Sequence, residues 1–219
     1  MKFFKSAMLS IAVATSFSVL ADDHKKSGTS AVEVSYLASS LAQMGIDAKN
    51  PVMLAAAAML KQQAEAAAEE AKFEMESSDQ GTPKNKSTGT RLSAEQLFSE
   101  AQKYAGSQSL SQAIEVAMNT KSRGAVGGSK HKEERVNSNS SDLYRLEFRG
   151  GETAQVLVDG DGDTDLDLYI YDENGNEVCT DLDITDTMYC KWRPRLTGNF
   201  VIEIKNLGDV YNVYDIYTN

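Results

Sequence analysis

Alternation of apolar and polar side chains with a period of two is the feature that most constrains the fold of this chain. In its last third, Leu166, Leu168 and Ile170 alternate with polar or aromatic neighbours, and turn signals such as the Asp-Glu-Asn-Gly-Asn run at 172–176 separate such segments. Successive side chains of a strand point to opposite faces of a sheet, so each segment has one apolar side to bury. About seven short strands at near-regular spacing predict an antiparallel β-sandwich over residues 142–219.

Residues 31–120 show a helical pattern instead. Apolar residues recur at spacings of three and four up to Gly45, which suits the end of a helix. Asn50-Pro51 then opens an Ala-rich segment, because Asn caps a helix and Pro fits its first turn. We expect this second helix to continue to about Met75.

Two further helices are predicted from capping boxes that begin at Ser93 and Ser109. The polar run at 77–91 is expected to be a loop between two helical hairpins, and the Gly-rich, charged residues 121–141 a linker to the sandwich. The fold class is therefore α+β, with helices and strands segregated along the chain. The hairpins either bury their own apolar stripes or offer them to a partner, and the sequence leaves both readings open.

The start of the chain has the order of a secretory signal. Lys2 and Lys5 precede an apolar run, which ends in small residues before two aspartates. The run is shorter than the roughly 20 apolar residues that span a bilayer. We expect residues 1–21 to be a cleaved signal peptide, 22–30 a polar tail, and the product to be periplasmic or secreted without membrane attachment. An uncleaved anchor is the alternative.

Cys179 and Cys190 are the only cysteines of the chain. In an oxidising compartment such a pair typically forms a disulfide, which here would join two neighbouring strands. No histidine lies near them in the sequence, which disfavours a zinc site. A bridge of this loop length stabilises a fold by about 2–3 kcal/mol, mainly by restricting the unfolded chain.

Negative charge is concentrated in the predicted sandwich. The whole chain has a net charge of −10, and residues 142–219 hold 17 of its 32 acidic and 6 of its 22 basic residues. Such a surface repels phosphate backbones, so no nucleic-acid partner is expected, while cations are attracted.

Five carboxylates recur at every second position before the strand that begins near residue 166. They are Asp159, Asp161, Asp163, Asp165 and Asp167, with two glycines between them. Calcium, which takes six to eight oxygen ligands in flexible geometry, would relieve their mutual repulsion and is the candidate cofactor. The spacing does not fit an EF-hand, and a solvated acidic turn is the alternative interpretation.

Four aromatic residues are candidates for a ligand platform. Tyr169, Tyr171, Tyr189 and Trp192 lie on predicted strands and would stack on a sugar or hold a peptide if they shared one face. Aromatic residues are also ordinary strand formers, and packing against the helical region would explain them equally well.

Residues 142–219 contain five motifs in a fixed order: Phe148-Arg-Gly-Gly-Glu, the Asp-rich run at 159–170, the turn at 172–176, Thr197-Gly-Asn-Phe-Val-Ile-Glu-Ile, and Tyr214-Asp-Ile. Together they resemble the bacterial pre-peptidase C-terminal domain, and the pattern is similar to Gram-negative periplasmic proteins that carry it. The resemblance implies a jelly-roll-like sandwich, binding of substrate or matrix, and calcium in some members. In this chain the domain is preceded by a helical segment and not by a peptidase. The resemblance therefore does not imply a peptidase function.

Catalytic motifs are sparse. The two histidines, His24 and His131, fall in the tail and the linker, and neither a phosphate loop nor a nucleophile with an orienting base is recognisable. We therefore predict a non-enzymatic exported binding or accessory protein that contacts a polysaccharide or a protein. A structural protein whose helical hairpins dock a partner is the alternative. A hydrolase would need a cleft between the two regions, lined by a carboxylate with a shifted pKa.

Overall fold

The computed structural model describes residues 29–78, 91–120 and 129–219. The predicted signal peptide, most of the predicted tail, residues 79–90 of the predicted loop and residues 121–128 lie outside this part of the chain. Within it, no helix is long and apolar enough to cross a membrane.

The described chain contains helices in its first half and a strand-rich second half. In chain order the elements are α1 (Ala31–Asp47), α2 (Pro51–Ala67), β1 (Glu69–Glu70), β2 (Met75–Ser77), α3 (Ala94–Tyr104), α4 (Gln108–Met118), β3 (Lys130–Val136), β4 (Ser141–Phe148), β5 (Ala154–Asp159), β6 (Leu166–Tyr171), β7 (Glu177–Asp181), β8 (Thr187–Trp192), β9 (Gly198–Asn206) and β10 (Asn212–Thr218).

The strands form two facing sheets. Sheet A has the order β1-β3-β10-β5-β8, and sheet B has the order β2-β4-β9-β6-β7. All pairings are antiparallel except the short one between β1 and β3. Strands β3 to β10 follow the order of a jelly roll, in which the first strand pairs with the last and successive strands alternate between sheets except for the β6–β7 hairpin within sheet B. The predicted α+β fold with a jelly-roll-like β-sandwich is confirmed.

The apolar positions of the period-two pattern meet between the sheets. Leu166, Leu168 and Ile170 of β6 are fully buried there. The Cys179–Cys190 disulfide is present and joins β7 of sheet B to β8 of sheet A, with the two Cα atoms 6.0 Å apart. The bridge therefore ties the two sheets together at one edge of the sandwich.

Helix α1 packs on the outer face of sheet A, while the other helices build a second core. Val32 of α1 lies against Leu157 of β5 and Tyr217 of β10. Leu54 of α2 and Phe98 of α3 are buried in the helical core. Sheet A is thus covered on both faces, which explains why every residue of β5 is buried.

Several predicted helix starts are correct. The Asn50 side chain accepts hydrogen bonds from the N–H groups of Val52 and Met53, with Pro51 in the first turn. Ser93 forms its capping box with Gln96. For the fourth helix the predicted cap at Ser109 is wrong, because Ser107 accepts from the N–H of Leu110. The helix therefore starts two residues earlier than its sequence motif indicates.

The predicted extension of the second helix to Met75 is also wrong, since α2 ends at Ala67. The following chain runs beside β3, where the N–H of Ala71 donates to the carbonyl of His131 at 2.8 Å. Phe73 and Met75 then pack against the sandwich core. Backbone pairing with β3 and burial of these two side chains outweigh the high helix propensity of residues 68–75, which differs between residue types by only a fraction of a kcal/mol per position.

The linker prediction for residues 121–141 fails for its second half. Residues 130–136 form β3, which pairs along its whole length with β10. Its charged side chains gave the appearance of a linker. Backbone pairing at the edge of a sheet does not need apolar side chains on the outer face.

Candidate functional site

The four aromatic residues that were predicted to share a platform lie in three different places. Trp192 is in the core between the sheets, with its ring edge-on to Phe148 at 4.8 Å. Tyr189 is on the outer face of sheet A, where it stacks on Tyr36 of α1 at 4.7 Å. The prediction of a single four-membered platform is wrong, because β8 belongs to a different sheet from β6 and Trp192 points inward.

Tyr169 and Tyr171 alone remain as a pair on the outer face of sheet B. Their rings are parallel within 4°, with centroids 6.2 Å apart, and both are partly exposed. The hydroxyl of Tyr169 donates to Asp167 at 3.1 Å, and Glu203 of β9 lies across from Tyr169. Burial raises the pKa of both hydroxyls, so they stay protonated at neutral pH.

The predicted aspartate cluster is dispersed by the fold. Asp159 ends β5, and its carboxylate accepts hydrogen bonds from Ser39 at 2.8 Å and Thr187 at 2.9 Å. Asp161 accepts from the backbone N–H of Val213 at 2.8 Å. These two carboxylates thus hold neighbouring elements together on the side of sheet A.

The remaining three aspartates lead into sheet B. The N–H of Asp163 donates to Asp161 at 3.3 Å, Asp165 has its pKa raised by burial and by the nearby Asp167, and Asp167 faces Tyr169. Among the described residues, no group of three or more acidic, His or Cys side chains is placed to hold a metal ion. Calcium binding by the Asp run stays a prediction from the sequence.

A cleft lies between the helices and the sandwich, and we call it the acidic cleft. Its volume is about 380 Å³, within the usual range of ligand sites. One wall comes from α1 and α2, with side chains such as Tyr36 and Lys61. The other comes from the loops after β5 and before β8. Its carboxylates are Asp159, Asp161, Asp183 and Asp186.

Arg91 anchors the floor of the acidic cleft. Its guanidinium lies 3.0 Å from Asp215, 3.0 Å from Glu133 and 2.9 Å from the carbonyl of Asp159. Asp215 is also 2.7 Å from His131. Although burial by itself raises the pKa of Asp215, the hydrogen bond to His131 and the charge of Arg91 hold it below its ordinary value.

Sequence patterns did not identify this network. Arg91 fell at the end of a predicted loop and His131 in a predicted linker, and neither has a motif around it. Asp215 alternates with the core residues Tyr214 and Ile216 along β10, as a solvent-facing residue of a strand would. Nothing in the neighbouring sequence indicates that this outer face of sheet A is covered. Pairing of β3 with β10 brings His131 to Asp215, and Arg91, which is distant from both in the sequence, reaches Asp215 only in the folded chain.

Asp186 is a partly buried carboxylate in the wall of the cleft. Its side chain accepts hydrogen bonds from the N–H of Gly162 and from Asn212, the latter at 3.3 Å. It lies so close to Gly160 that a side chain there would clash with it. Burial, together with the negative charge of Asp159, raises the pKa of Asp186 despite these hydrogen bonds.

We expect Asp186→Asn to raise the melting temperature at pH 7 and to have little effect near pH 3. Because the pKa of Asp186 is raised in the folded state, its ionisation lowers the free energy of unfolding at neutral pH. This destabilisation disappears at a pH low enough for the carboxyl to be protonated in both the folded and the unfolded protein. Asparagine keeps the oxygen acceptor without the charge. Thermal unfolding from pH 3 to 8 measures this, and a lower melting temperature of the variant across the whole range would contradict it.

The arrangement of the cleft favours binding over hydrolysis. Glycoside hydrolysis needs two carboxyl groups that flank the scissile bond. Here the four lining carboxylates all come from the sandwich side, while the helices supply Ser39, Gln43 and Lys61. All four also accept hydrogen bonds from other residues of the protein.

Comparisons with known proteins give only distant similarity. No family model matches the chain, and no curated protein matches it. The crystal structure of Aeromonas hydrophila PliG, a periplasmic lysozyme inhibitor of g-type lysozyme, is similar over 42% of this chain and 84% of its own, with 9% identity and a TM-score of 0.33.

Two other solved structures are similar to an equally limited extent. The similarity to a de novo designed double-stranded β-helix extends over 41% of this chain and 99% of the designed chain, with 14% identity and a TM-score of 0.28. The Clostridium thermocellum xylanase 10B structure with CBM22-1 and GH10 modules covers 40% of this chain and is itself covered to 24%, with 16% identity and a TM-score of 0.22. At these scores the similarities carry no argument about function.

Proposed function

We propose that the protein is a non-enzymatic, exported binding protein whose β-sandwich holds a polysaccharide on the outer face of sheet B. The observation that carries the proposal is the parallel pair Tyr169 and Tyr171 on that face. The helices pack on sheet A, so these rings lie on the opposite side of the sandwich from them. Two parallel aromatic rings, two residues apart on one strand and so on the same face, offer aromatic surface on which sugar rings can pack.

The surroundings of the tyrosines favour a sugar over a protein. Asp167, Glu203 and Lys205 occupy outward positions of β6 and β9 beside the rings, and Thr180 of β7 pairs with Tyr169. Carboxylates and hydroxyls are hydrogen-bonding partners for sugar hydroxyls. The centre of a protein interface is instead usually depleted in charged residues.

The charge of the sandwich restricts the kind of polysaccharide. Residues 142–219 carry 17 acidic and 6 basic side chains, so an anionic polymer is repelled. We infer that the ligand is a neutral or amino-substituted glycan. The resemblance to the pre-peptidase C-terminal domain, which implies matrix or substrate binding, supports the same role.

The double variant Tyr169→Ala/Tyr171→Ala is expected to weaken glycan binding by about 30-fold, since two stacking contacts of about 1 kcal/mol each are lost. Affinity electrophoresis against xylan, laminarin and soluble chitosan measures the change. The matched Phe/Phe variant keeps the rings and is expected to retain most of the binding.

Tyr211→Ala is the control, because Tyr211 is also partly exposed but does not belong to sheet B. The guanidinium of Arg135 lies over its ring. It should leave retardation in the gel unchanged. Wild-type binding by the Ala/Ala variant would show that sheet B is not the glycan surface.

A further inference from the structure

Exposed apolar side chains line the acidic cleft or lie in a loop that lines it. Ile184 and Leu182 flank the lining residue Asp183 in the loop between β7 and β8, and they are 93% and 53% exposed. Among the lining residues of α1, Met44 is 54% exposed and Tyr36 is 39% exposed. Exposed large apolar side chains beside a concave site are typical of an interaction surface.

The interior of the cleft is negatively charged. Lys61 lies 3.9 Å from Asp159, and the charge of Arg91 is directed to Asp215. Asp183 accepts its hydrogen bonds from the neutral N–H and hydroxyl of Thr185. Asp186 accepts from Gly162 and Asn212, which are also neutral donors. The carboxylates of the β7–β8 loop thus add negative charge to the wall, whose cations in the described part of the chain, Lys61 and Arg91, are paired with other carboxylates.

We propose that the acidic cleft binds a basic segment of a protein partner, with a lysine or arginine side chain inserted between the walls and apolar neighbours resting on the exposed apolar side chains. The negative charge of the wall is complementary to a cationic side chain. The exposed apolar side chains beside it would contact the apolar neighbours of that side chain, which a free metal ion or a simple amine lacks. This partner is additional to the glycan on sheet B, and the two sites lie on opposite sides of the sandwich.

The fold holds this site in place before a partner arrives. The β7–β8 loop is fixed at its base by the Cys179–Cys190 disulfide and at its end by the hydrogen bond of Asp186 to the Gly162 N–H. A rigid loop loses little conformational entropy on binding, which favours affinity.

The test uses the full chain and two fluorescein-labelled peptides. One has a central arginine flanked by two leucines on each side, and the other has glutamate in place of arginine. Fluorescence anisotropy is expected to show binding of the arginine peptide that weakens at high salt, and no binding of the glutamate peptide.

Variants of the loop identify the site. Asp183→Asn/Asp186→Asn is expected to weaken binding of the arginine peptide by about tenfold or more, and Ile184→Ser by about fivefold. Glu173→Gln and Leu196→Ser are the matched controls, because both residues are exposed and lie in loops at the other end of the strands. Since Asp186→Asn is expected to stabilise the fold, weaker binding by the double variant would not be due to unfolding.

Three results would overturn the proposal. They are failure of the arginine peptide to bind, equal binding of the two peptides, and equal losses in the loop variants and their controls. A calcium-specific rise in melting temperature that disappears in Asp183→Asn/Asp186→Asn would identify the cleft as a metal site instead. None of these results depends on whether sheet B binds a glycan.

Discussion

Replacing Arg91 with alanine is expected to lower the free energy of unfolding by about 3–5 kcal/mol, the cost of leaving a buried charge without its partner. The side chain of Asp215 is only 7% exposed, and Arg91 lies 3.0 Å from its carboxylate. The same guanidinium donates to the carbonyl of Asp159. Truncation removes both interactions and leaves the Asp215 carboxylate with His131 as its remaining close partner.

Chemical denaturation at pH 7 measures this effect, with Arg145→Ala as the matched control. The Arg145 side chain is 63% exposed and lies 3.9 Å from an exposed glutamate, so its loss should change stability by less than about 1 kcal/mol. If the two variants were equally stable, the Arg91 network would contribute no more than a surface ion pair.

The same variant should also change how stability depends on pH. The folded-state pKa of Asp215 lies below its ordinary value, so its contribution is present above that ordinary value and is lost as the pH falls through the folded pKa. Without Arg91 this pKa rises. The variant therefore has less stability to lose on acidification, and we expect the difference in stability between wild type and Arg91→Ala to shrink as the pH falls from 7 through the folded pKa of Asp215.

Removing the disulfide is the second change with a large expected effect. Cys179→Ala/Cys190→Ala should destabilise the fold by about 3 kcal/mol, because the two cysteines are 11 residues apart and the open loop regains its freedom in the unfolded state. The loss should also weaken arginine-peptide binding in the acidic cleft, since the β7–β8 loop would no longer be fixed at its base.

Reduction of the wild-type protein provides the control for this variant. Cys190 is fully buried, so alanine also leaves a small cavity, whereas reduction removes the bridge and keeps both sulfur atoms. Dithiothreitol should therefore give most of the loss seen in the variant. Equal denaturation midpoints for the oxidised and reduced wild-type protein would show that the bridge contributes little to stability.

Local sequence signals predicted the elements that depend on only a few neighbouring residues. The alternation around Leu168, the cap at Asn50 and the capping box at Ser93 each act within about one turn or one strand. Cys179 and Cys190 were paired correctly because only one pairing exists. Local signals of this kind were enough to predict the strands from β4 onward, two of the helix starts and the disulfide.

Local propensity failed where long-range contacts compete with it. The Ala-rich helix was expected to continue past Ala67, yet the chain leaves it to pair with β3 and to bury Phe73. The charged side chains of β3 are typical of a linker, so the sequence does not predict a strand there. The backbone of β3 pairs with β10, and no side-chain pattern reports such an edge pairing.

Periodicity, capping motifs and a single pair of cysteines can be seen in the sequence, and they were enough to predict a disulfide-linked sandwich preceded by helices. The inward orientation of Trp192, the pairing of Tyr169 with Tyr171 and the acidic cleft depend instead on how the elements pack together. The cleft joins α1, Arg91 and two loops of the sandwich that are far apart in the chain. Its formation depends on the docking of α1 onto sheet A, and that docking is decided by the fit of whole surfaces.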